Sequence, residues 1–165
     1  MTTTAPADKS ERPAARRVLI GVTEEVDFPE WGIDGVVARI DTGARTSALH
    51  VDEVLRIGRR RVRFRVVRDE AERGTAEESW VEARIARVAR VKSSSGSVVA
   101  RYFVVTEVRI GEVVRDVELS LAAREPMRYR MLLGRTALAG CFVVDPGRKM
   151  VATKRVRRAL AAEPA

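Results

Sequence analysis

The sequence contains one cysteine, Cys141, and one histidine, His50, in 165 residues. A single cysteine cannot form an internal disulfide, so the fold cannot depend on oxidation within one chain. Zinc sites with four Cys and His ligands, or with three histidines, are excluded in the same way. The remaining ligands would be carboxylates, which match zinc poorly. We therefore expect neither a metal nor another cofactor.

Long apolar runs are also missing from the sequence. No stretch approaches the ~18 apolar residues that a membrane-spanning helix requires. The first residues lack the apolar core of a secretory signal peptide. The expectation is a cytoplasmic protein without a membrane partner.

Acidic residues are outnumbered, with 23 Asp and Glu against 31 Lys and Arg and a net charge of +8. Most of this excess lies near the two ends of the sequence, in residues 1–17 and 149–165. We predict a disordered tail over residues 1–16, a domain over residues 17–151 and a basic tail over residues 152–165. Aromatic residues make up only 5%, so a nucleic-acid partner is not favoured.

Short alternating segments dominate the rest of the chain. Arg61 to Val67 alternates strictly between arginine and apolar residues until its last position, which is typical of a strand with one face in a core. About eight such strands, with turns between them and almost no helical periodicity, predict an all-β fold built as a closed barrel. One short helical turn is expected over Gly134 to Ala139. Loops are expected over Asp27 to Gly35 and over Asp69 to Ser79, because of their turn-forming and acidic residues.

A first candidate site is Asp41-Thr42-Gly43-Ala44, directly after the apolar strand Val36 to Ile40. Gly43 would let the loop turn sharply, and Thr42 could hydrogen-bond across a symmetric interface. Asp41 would then project from a rigid base. The alternative is an ordinary turn, in which the Asp41 side chain caps the local backbone and Gly43 supplies a positive φ.

A second motif changes the interpretation of the first. Met131-Leu132-Leu133-Gly134-Arg135 ends an apolar triplet with Gly-Arg. Together the two motifs resemble those of retropepsin-like aspartic proteases. The longer strings IDTGARTSALH, RVKSSSG, MLLGRTAL and VDP are similar to the bacterial family traditionally labelled ATP-dependent zinc proteases. This resemblance covers Arg17 to Val151.

The resemblance implies a retropepsin-like barrel that forms a homodimer, because one Asp41 per chain needs a second copy to make a catalytic pair. Asp41, Thr42 and Gly43 would form the catalytic loop, and Leu133, Gly134 and Arg135 a supporting structural motif. The sequence has neither a G-x-x-x-x-G-K-[ST] loop nor an HExxH motif, so the ATP and zinc of the family label find no matching residues.

Substrate contacts are expected from Ala44 and Arg45 and from a hairpin tip that could act as a flap. The tip comprises Lys92, Ser93, Ser94, Ser95 and Gly96. Arg45 stands where viral retropepsins carry an acidic residue that pairs with the arginine of the second motif. Arg135 must therefore bind another carboxylate or backbone carbonyls. Arg45 could contact an acidic substrate or form a structural ion pair, and the hairpin tip could also be a plain solvated turn.

The family resemblance also implies a substrate class. Relatives are associated with ATP-grasp ligases that add glutamate to proteins or peptides, so the resemblance implies a peptidase acting on acidic tails, including poly-glutamate. Three alternatives stay open: a non-catalytic peptide-binding module on the same fold, a zinc protease as the label states, and a nucleic-acid-associated protein that uses the basic C-terminus.

Overall fold

The computed structural model describes residues 16–69, 76–92, 96–123 and 128–162. These ranges contain eleven strands, two α-helices and a 3₁₀ turn at Pro29–Trp31. The strands are β1 Val18–Ile20, β2 Thr23–Phe28, β3 Ile33–Ile40, β4 Ser47–Val51, β5 Val54–Ile57, β6 Arg61–Asp69, β7 Ala76–Lys92, β8 Val98–Ile110, β9 Val113–Ala123, β10 Met131–Leu133 and β11 Phe142–Val144. The helices are α1 Arg135–Leu138 and α2 Val151–Ala162.

Six strands close a barrel in the order β2-β3-β10-β4-β9-β8, and the pair Asp27 and Arg109 joins β8 back to β2. β10 lies parallel to β3 and antiparallel to β4. β7, β6 and β5 continue from β8 as an antiparallel extension. β1 and β11 pair in parallel as a separate two-stranded sheet. The all-β, closed-barrel class predicted from the sequence is confirmed.

The β5–β7 extension shares the core of the barrel. The alternation of β6 buries Val62, Phe64 and Val66, which belong to the same apolar cluster as the barrel strands. Trp31 packs between the barrel and this extension. Its ring stacks on that of Phe28 in β2, with the ring centres 4.7 Å apart, and meets the ring of Phe64 in β6 edge-on at 5.4 Å. Aromatic contacts of this kind add to the stability that burial supplies.

Both segments predicted as loops contain strand residues. Within the segment from Asp27 to Gly35, β2 continues through Phe28 and β3 begins at Ile33, so only the 3₁₀ turn and Gly32 interrupt the sheet. β6 reaches Asp69 and β7 begins at Ala76, while residues 70–75 lie outside the described ranges. Strand formation depends more on tertiary context than on composition, so the Pro and Gly residues of the first segment and the acidic residues of the second misled the prediction.

The basic tail expected over residues 152–165 is wrong for most of its length, because α2 occupies Val151–Ala162. Its first turn is anchored by Glu24, whose side chain is fully buried. Glu24 Oε1 accepts hydrogen bonds from the amides of Gly21, Val151 and Ala152, at 2.7, 2.7 and 3.2 Å. Oε2 accepts from the amide and hydroxyl of Thr153 at 3.0 and 2.8 Å.

Glu24 thus satisfies amide donors that a helix N-terminus leaves unpaired, and its negative charge suits that end of the helix dipole. The capping residue lies more than a hundred positions before the helix, so no local signal could reveal it. The domain limits at residues 17 and 151 stay a prediction.

Candidate active site

The two sequence motifs lie side by side at the ends of neighbouring parallel strands. Ile40, the last residue of β3, is in register with Leu133, the last residue of β10. The Asp41 amide donates a hydrogen bond of 2.9 Å to the Leu133 carbonyl. The loop that follows β3 and the helix that follows β10 therefore leave the barrel together.

The Asp41 carboxylate has one oxygen fixed and one available. Oδ1 accepts hydrogen bonds of 3.0 Å from the amides of Gly43 and Ala44. Among the described residues no donor reaches Oδ2, and the residue is half-buried. A carboxylate held in this way has a defined orientation while keeping one oxygen open to a ligand or to a second copy of the loop.

A side chain at Gly43 would be crowded by Asp41 rather than strained by the backbone conformation. The φ of Gly43 does not lie in the left-handed region. A Cβ atom at this position would lie 3.3 Å from Asp41 Oδ1. The ordinary-turn interpretation predicted a positive φ at Gly43, which is not found. It also predicted that the Asp41 carboxylate caps the loop, which is found.

Arg135 holds the Asp41 loop from the side of α1. Its Nη1 donates to the carbonyls of Thr42 and Gly43 at 3.2 and 2.6 Å, and its amide donates to the Ala44 carbonyl at 2.9 Å. The sequence left two kinds of partner open for Arg135, a carboxylate or backbone carbonyls, and the structure shows the carbonyls. A guanidinium can bridge adjacent carbonyls because its donors are fixed in one plane.

Two further residues join the motifs, and the sequence analysis did not single them out. The buried Ser47 Oγ accepts a hydrogen bond of 3.1 Å from the Gly134 amide. The Thr136 amide and hydroxyl both donate to the Arg45 carbonyl at 3.0 Å. Their partners lie about 90 positions away in the chain. The only available signal was their presence in the strings IDTGARTSALH and MLLGRTAL.

Gly134 sits where the two segments touch. A Cβ atom there would lie 2.5 Å from the Thr46 carbonyl oxygen, which is closer than carbon and oxygen can pack. The glycine of the second motif is thus required by its contact with the chain that follows the first.

A cleft of about 450 Å³ lies beside the loop. Arg45 lines it, and no ion pair within 4 Å involves this side chain in the described part of the molecule. The structural ion pair considered for Arg45 is therefore not seen there. The other lining residues are Thr46, Arg87, Asp116, Val117, Glu118, Thr136 and Ala137.

Arg87 is a second cation of this cleft that the sequence analysis missed. Its Nη2 and Nε lie 2.7 and 3.1 Å from Glu118 Oε1, and the guanidinium carbon lies 3.5 Å from the centre of the Phe103 ring. The hydrogen bonds to Glu118 raise the pKa of Arg87 above its ordinary value. Arg87 is thus neutralised by its partner, whereas Arg45 is not.

The hairpin between β7 and β8 is described only in part. Lys92 ends β7, is exposed and pairs with Val98, and Gly96 adopts a φ of 88°. The residues predicted at its tip, Ser93, Ser94 and Ser95, lie outside the described residues. No hydrogen bond or ion pair among the described residues joins Lys92 to the Asp41 loop.

The described residues hold no group of three or more His, Cys, Asp and Glu side chains arranged to bind a metal ion. In the same part of the chain, no helix is long and apolar enough to cross a membrane.

A family model described as "RimB-like: Retropepsin-like aspartic endopeptidase RimB" matches residues 19–155. Two curated relatives share the name "Probable alpha-L-glutamate ligase". The one from Desulfotalea psychrophila is 35% identical over 134 residues, and the one from Shewanella halifaxensis is 34% identical over 133 residues. These matches cover 78% and 79% of this chain but only 28% and 29% of the relatives. The chain therefore spans less than a third of their length.

A solved structure shares the fold. The crystal structure of Lpg0085, a protein of unknown function from Legionella pneumophila, matches with a TM-score of 0.69 and 21% sequence identity. The match covers 83% of this chain and 99% of that one.

Proposed function

The chain belongs to the RimB-like family of retropepsin-like aspartic endopeptidases, and from that premise we propose that it is an aspartic peptidase whose active site forms from the Asp41 loops of two copies. The observation that carries this proposal is the Asp41 carboxylate, with Oδ1 held by two amides and Oδ2 left open. One such carboxylate per chain suits a site that is completed by a twofold axis.

Two Asp41 carboxylates brought together would share one proton, because like charges a few ångströms apart cannot both ionise easily. The ionised one takes a proton from water, which attacks the peptide carbonyl. The protonated one donates to the carbonyl oxygen and so stabilises the tetrahedral intermediate. Collapse of the intermediate breaks the C–N bond: the leaving amine takes the proton that the first carboxylate removed from water, and the second carboxylate recovers its proton from the hydroxyl as the carbonyl re-forms.

The exposure of the loop supports assembly as a homodimer. Thr42 and Gly43 are exposed at its tip, where contacts with the same residues of a second copy could form. Leu19 and Val143 are paired neighbours on β1 and β11 and are 41% and 48% exposed. An exposed apolar pair on a small sheet is suited to burial against a second copy.

We further propose that the substrate is acidic. Arg45 lies four residues beyond Asp41, lines the adjacent cleft and has no carboxylate partner among the described residues. The curated relatives are named as glutamate ligases, and a peptidase that trims glutamate tails would oppose such an activity. A functional link to an ATP-grasp ligase, and a flap formed by residues 92–96, belong to the same proposal.

The proposal is tested by digesting a glutamate-rich peptide and scoring the products by mass spectrometry. The wild type should cleave it, and Asp41→Asn should not. Asp145→Asn is the matched control, because Asp145 also follows an apolar strand and accepts a local amide hydrogen bond, from Gly147 at 2.9 Å. Cleavage by Asp41→Asn at the wild-type rate would overturn the proposal.

The same assay separates the alternatives. The turn-capping role of Asp41 Oδ1 would also suit a non-catalytic peptide-binding module, which predicts peptide binding by both proteins and cleavage by neither. A zinc protease predicts complete loss of activity in EDTA with recovery on adding zinc alone.

A further inference from the structure

Five cationic side chains line an open groove of about 530 Å³ between α2 and the segment before it. They are Arg148, Lys149, Lys154, Arg155 and Arg158, and Val151 is the one other lining residue. The lining thus contains neither a carboxylate nor an aromatic ring. We call these five residues the basic groove.

The cations of the basic groove lack the carboxylate partners that other arginines of the described residues have. Elsewhere on α2, Arg157 binds Glu25 at 2.7 Å, and at the cleft beside Asp41, Arg87 binds Glu118 at 2.7 Å. In the described ranges, no carboxylate lies within 4 Å of a basic-groove cation. The groove therefore concentrates positive charge with which no carboxylate of the described residues pairs within 4 Å.

Their spacing on α2 makes this arrangement unfavourable without an anion. Lys154 and Arg158 are four residues apart, and Arg155 and Arg158 are three apart, so their side chains are neighbours on the helix surface. Like charges at these spacings destabilise a helix. A bound polyanion would remove that repulsion.

The basic groove lies close to the Asp41 loop. The Val22 amide donates a hydrogen bond of 2.8 Å to the Arg148 carbonyl, and the Ile40 amide donates one of 2.9 Å to the Val22 carbonyl. Val22 thus links the backbone of Arg148 to that of Ile40, the residue before Asp41, through two hydrogen bonds. The groove also has a fixed position, because Glu24 anchors the first turn of α2.

We propose that the basic groove is a second substrate-binding site, which holds an acidic stretch of a polypeptide outside the Asp41 site. This inference rests on the proposed peptidase function. Arginine binds carboxylates in paired hydrogen bonds. Sites for single-stranded nucleic acid combine positive charge with aromatic stacking platforms, and the groove lining has no aromatic residue. These features favour an acidic peptide over a single-stranded nucleic acid, and the test below distinguishes the peptide from a duplex.

The test measures binding of a fluorescein-labelled peptide of eight L-glutamates by anisotropy, with every protein carrying Asp41→Asn so that no cleavage occurs. The groove variant is Arg155→Gln with Arg158→Gln. The matched control is Arg59→Gln with Arg60→Gln, two exposed arginines in the turn between β5 and β6, at the far end of the sheet order. Both double variants remove the same charge.

The expected result is a dissociation constant raised about tenfold in the groove variant, less than twofold in the control, and restored by Arg155→Lys with Arg158→Lys. The difference should shrink at high salt. Equal losses in both double variants would overturn the proposal, because binding would then follow net charge alone. Tighter binding of a 20-base-pair RNA duplex than of the octaglutamate, through the same two arginines, would assign the groove to nucleic acid and also overturn it.

Failure of the proposed peptidase would look different. If the groove binds octaglutamate but Asp41→Asn leaves cleavage of the glutamate-rich peptide at the wild-type rate, the binding site stands and the catalytic assignment falls. If Asp41 is required for cleavage but the groove variant binds octaglutamate as tightly as the control does, the proposal of a second binding site is rejected and the catalytic assignment is kept.

Discussion

Glu24 is a buried carboxylate that is stabilised by hydrogen bonds rather than by a cation. Five donors from two segments of the chain reach its two oxygens. Hydrogen bonds to a charged acceptor are worth more than neutral ones, and removing one side of such a network leaves buried donors unpaired. This one side chain therefore anchors the first turn of α2.

We expect Glu24→Gln to lower the free energy of unfolding by about 3 kcal/mol, because the amide nitrogen cannot accept the bonds that one carboxylate oxygen accepts. Urea denaturation monitored by circular dichroism measures the change. Glu112→Gln, at an exposed turn position, is the control and should change stability by less than about 0.5 kcal/mol. A similar small effect for both variants would contradict the anchoring role.

Arg45 is the residue on which the acidic-substrate proposal depends. We expect Arg45→Ala to lower kcat/KM about tenfold on a glutamate-rich peptide and much less on a neutral one, since one charge-assisted contact is worth roughly 1.4 kcal/mol. Raising the salt concentration should narrow this difference. Equal losses on the two peptides would show instead that Arg45 acts on the loop and not on substrate charge.

At the scale of elements, the Asp41 loop is held by β10 and α1 in addition to its own internal hydrogen bonds. Leu133, Gly134 and Arg135 contribute a carbonyl, a tight contact and a guanidinium, in that order. The loop and its support are separate in sequence and become one unit only through parallel pairing of β3 and β10.

Gly134→Ala should therefore damage the loop and the fold together. Its Cβ would lie 2.5 Å from the Thr46 carbonyl oxygen, and forcing these segments apart should cost about 3 kcal/mol of unfolding free energy and reduce peptide cleavage. Thermal unfolding and the digestion assay measure the two effects. Gly147→Ala is the comparison, because a Cβ there meets only Asp145 Oδ1 at 3.4 Å. A Gly134→Ala protein as stable as Gly147→Ala would rule out the clash.

The sequence predicts elements whose pattern is local and misses those whose partners are distant. The strict alternation around Phe64 identifies β6, and the apolar triplet before Gly134 identifies β10. The helix α2 escapes prediction because its cap is Glu24, and Arg87 escapes because its partner Glu118 lies on another strand. The motif residues around Asp41 were found through family resemblance, whereas their hydrogen-bond geometry required the structure.

At the scale of the whole molecule, the proposed activity depends on association. The loop that carries Asp41 is exposed at its tip, and a single copy presents one such carboxylate. Under the proposed function, the protein would be inactive as a monomer and active as a symmetric pair, so its activity should depend on concentration.

We expect specific activity to fall on dilution below the dimer dissociation constant. Mixing equal amounts of wild type and Asp41→Asn, with time for subunit exchange, should lower the activity per total protein to about a quarter of that of the wild type, because only wild-type pairs carry both carboxylates. Analytical ultracentrifugation and the digestion assay measure assembly and activity in the same samples. Retention of half the activity would mean that each chain works alone.

The long separation between Asp41 and its supporting motif also has a consequence during translation. The strand β3 and the Asp41 loop leave the ribosome well before Met131–Leu133 and Arg135 have been synthesised, so the barrel cannot yet close between β3 and β4. Non-local pairing of this kind forms late in folding. A growing chain thus carries Asp41 on an unsupported loop, and the proposed hydrolytic centre cannot form before Arg135 has been made. The order of synthesis itself would protect neighbouring nascent proteins from premature cleavage.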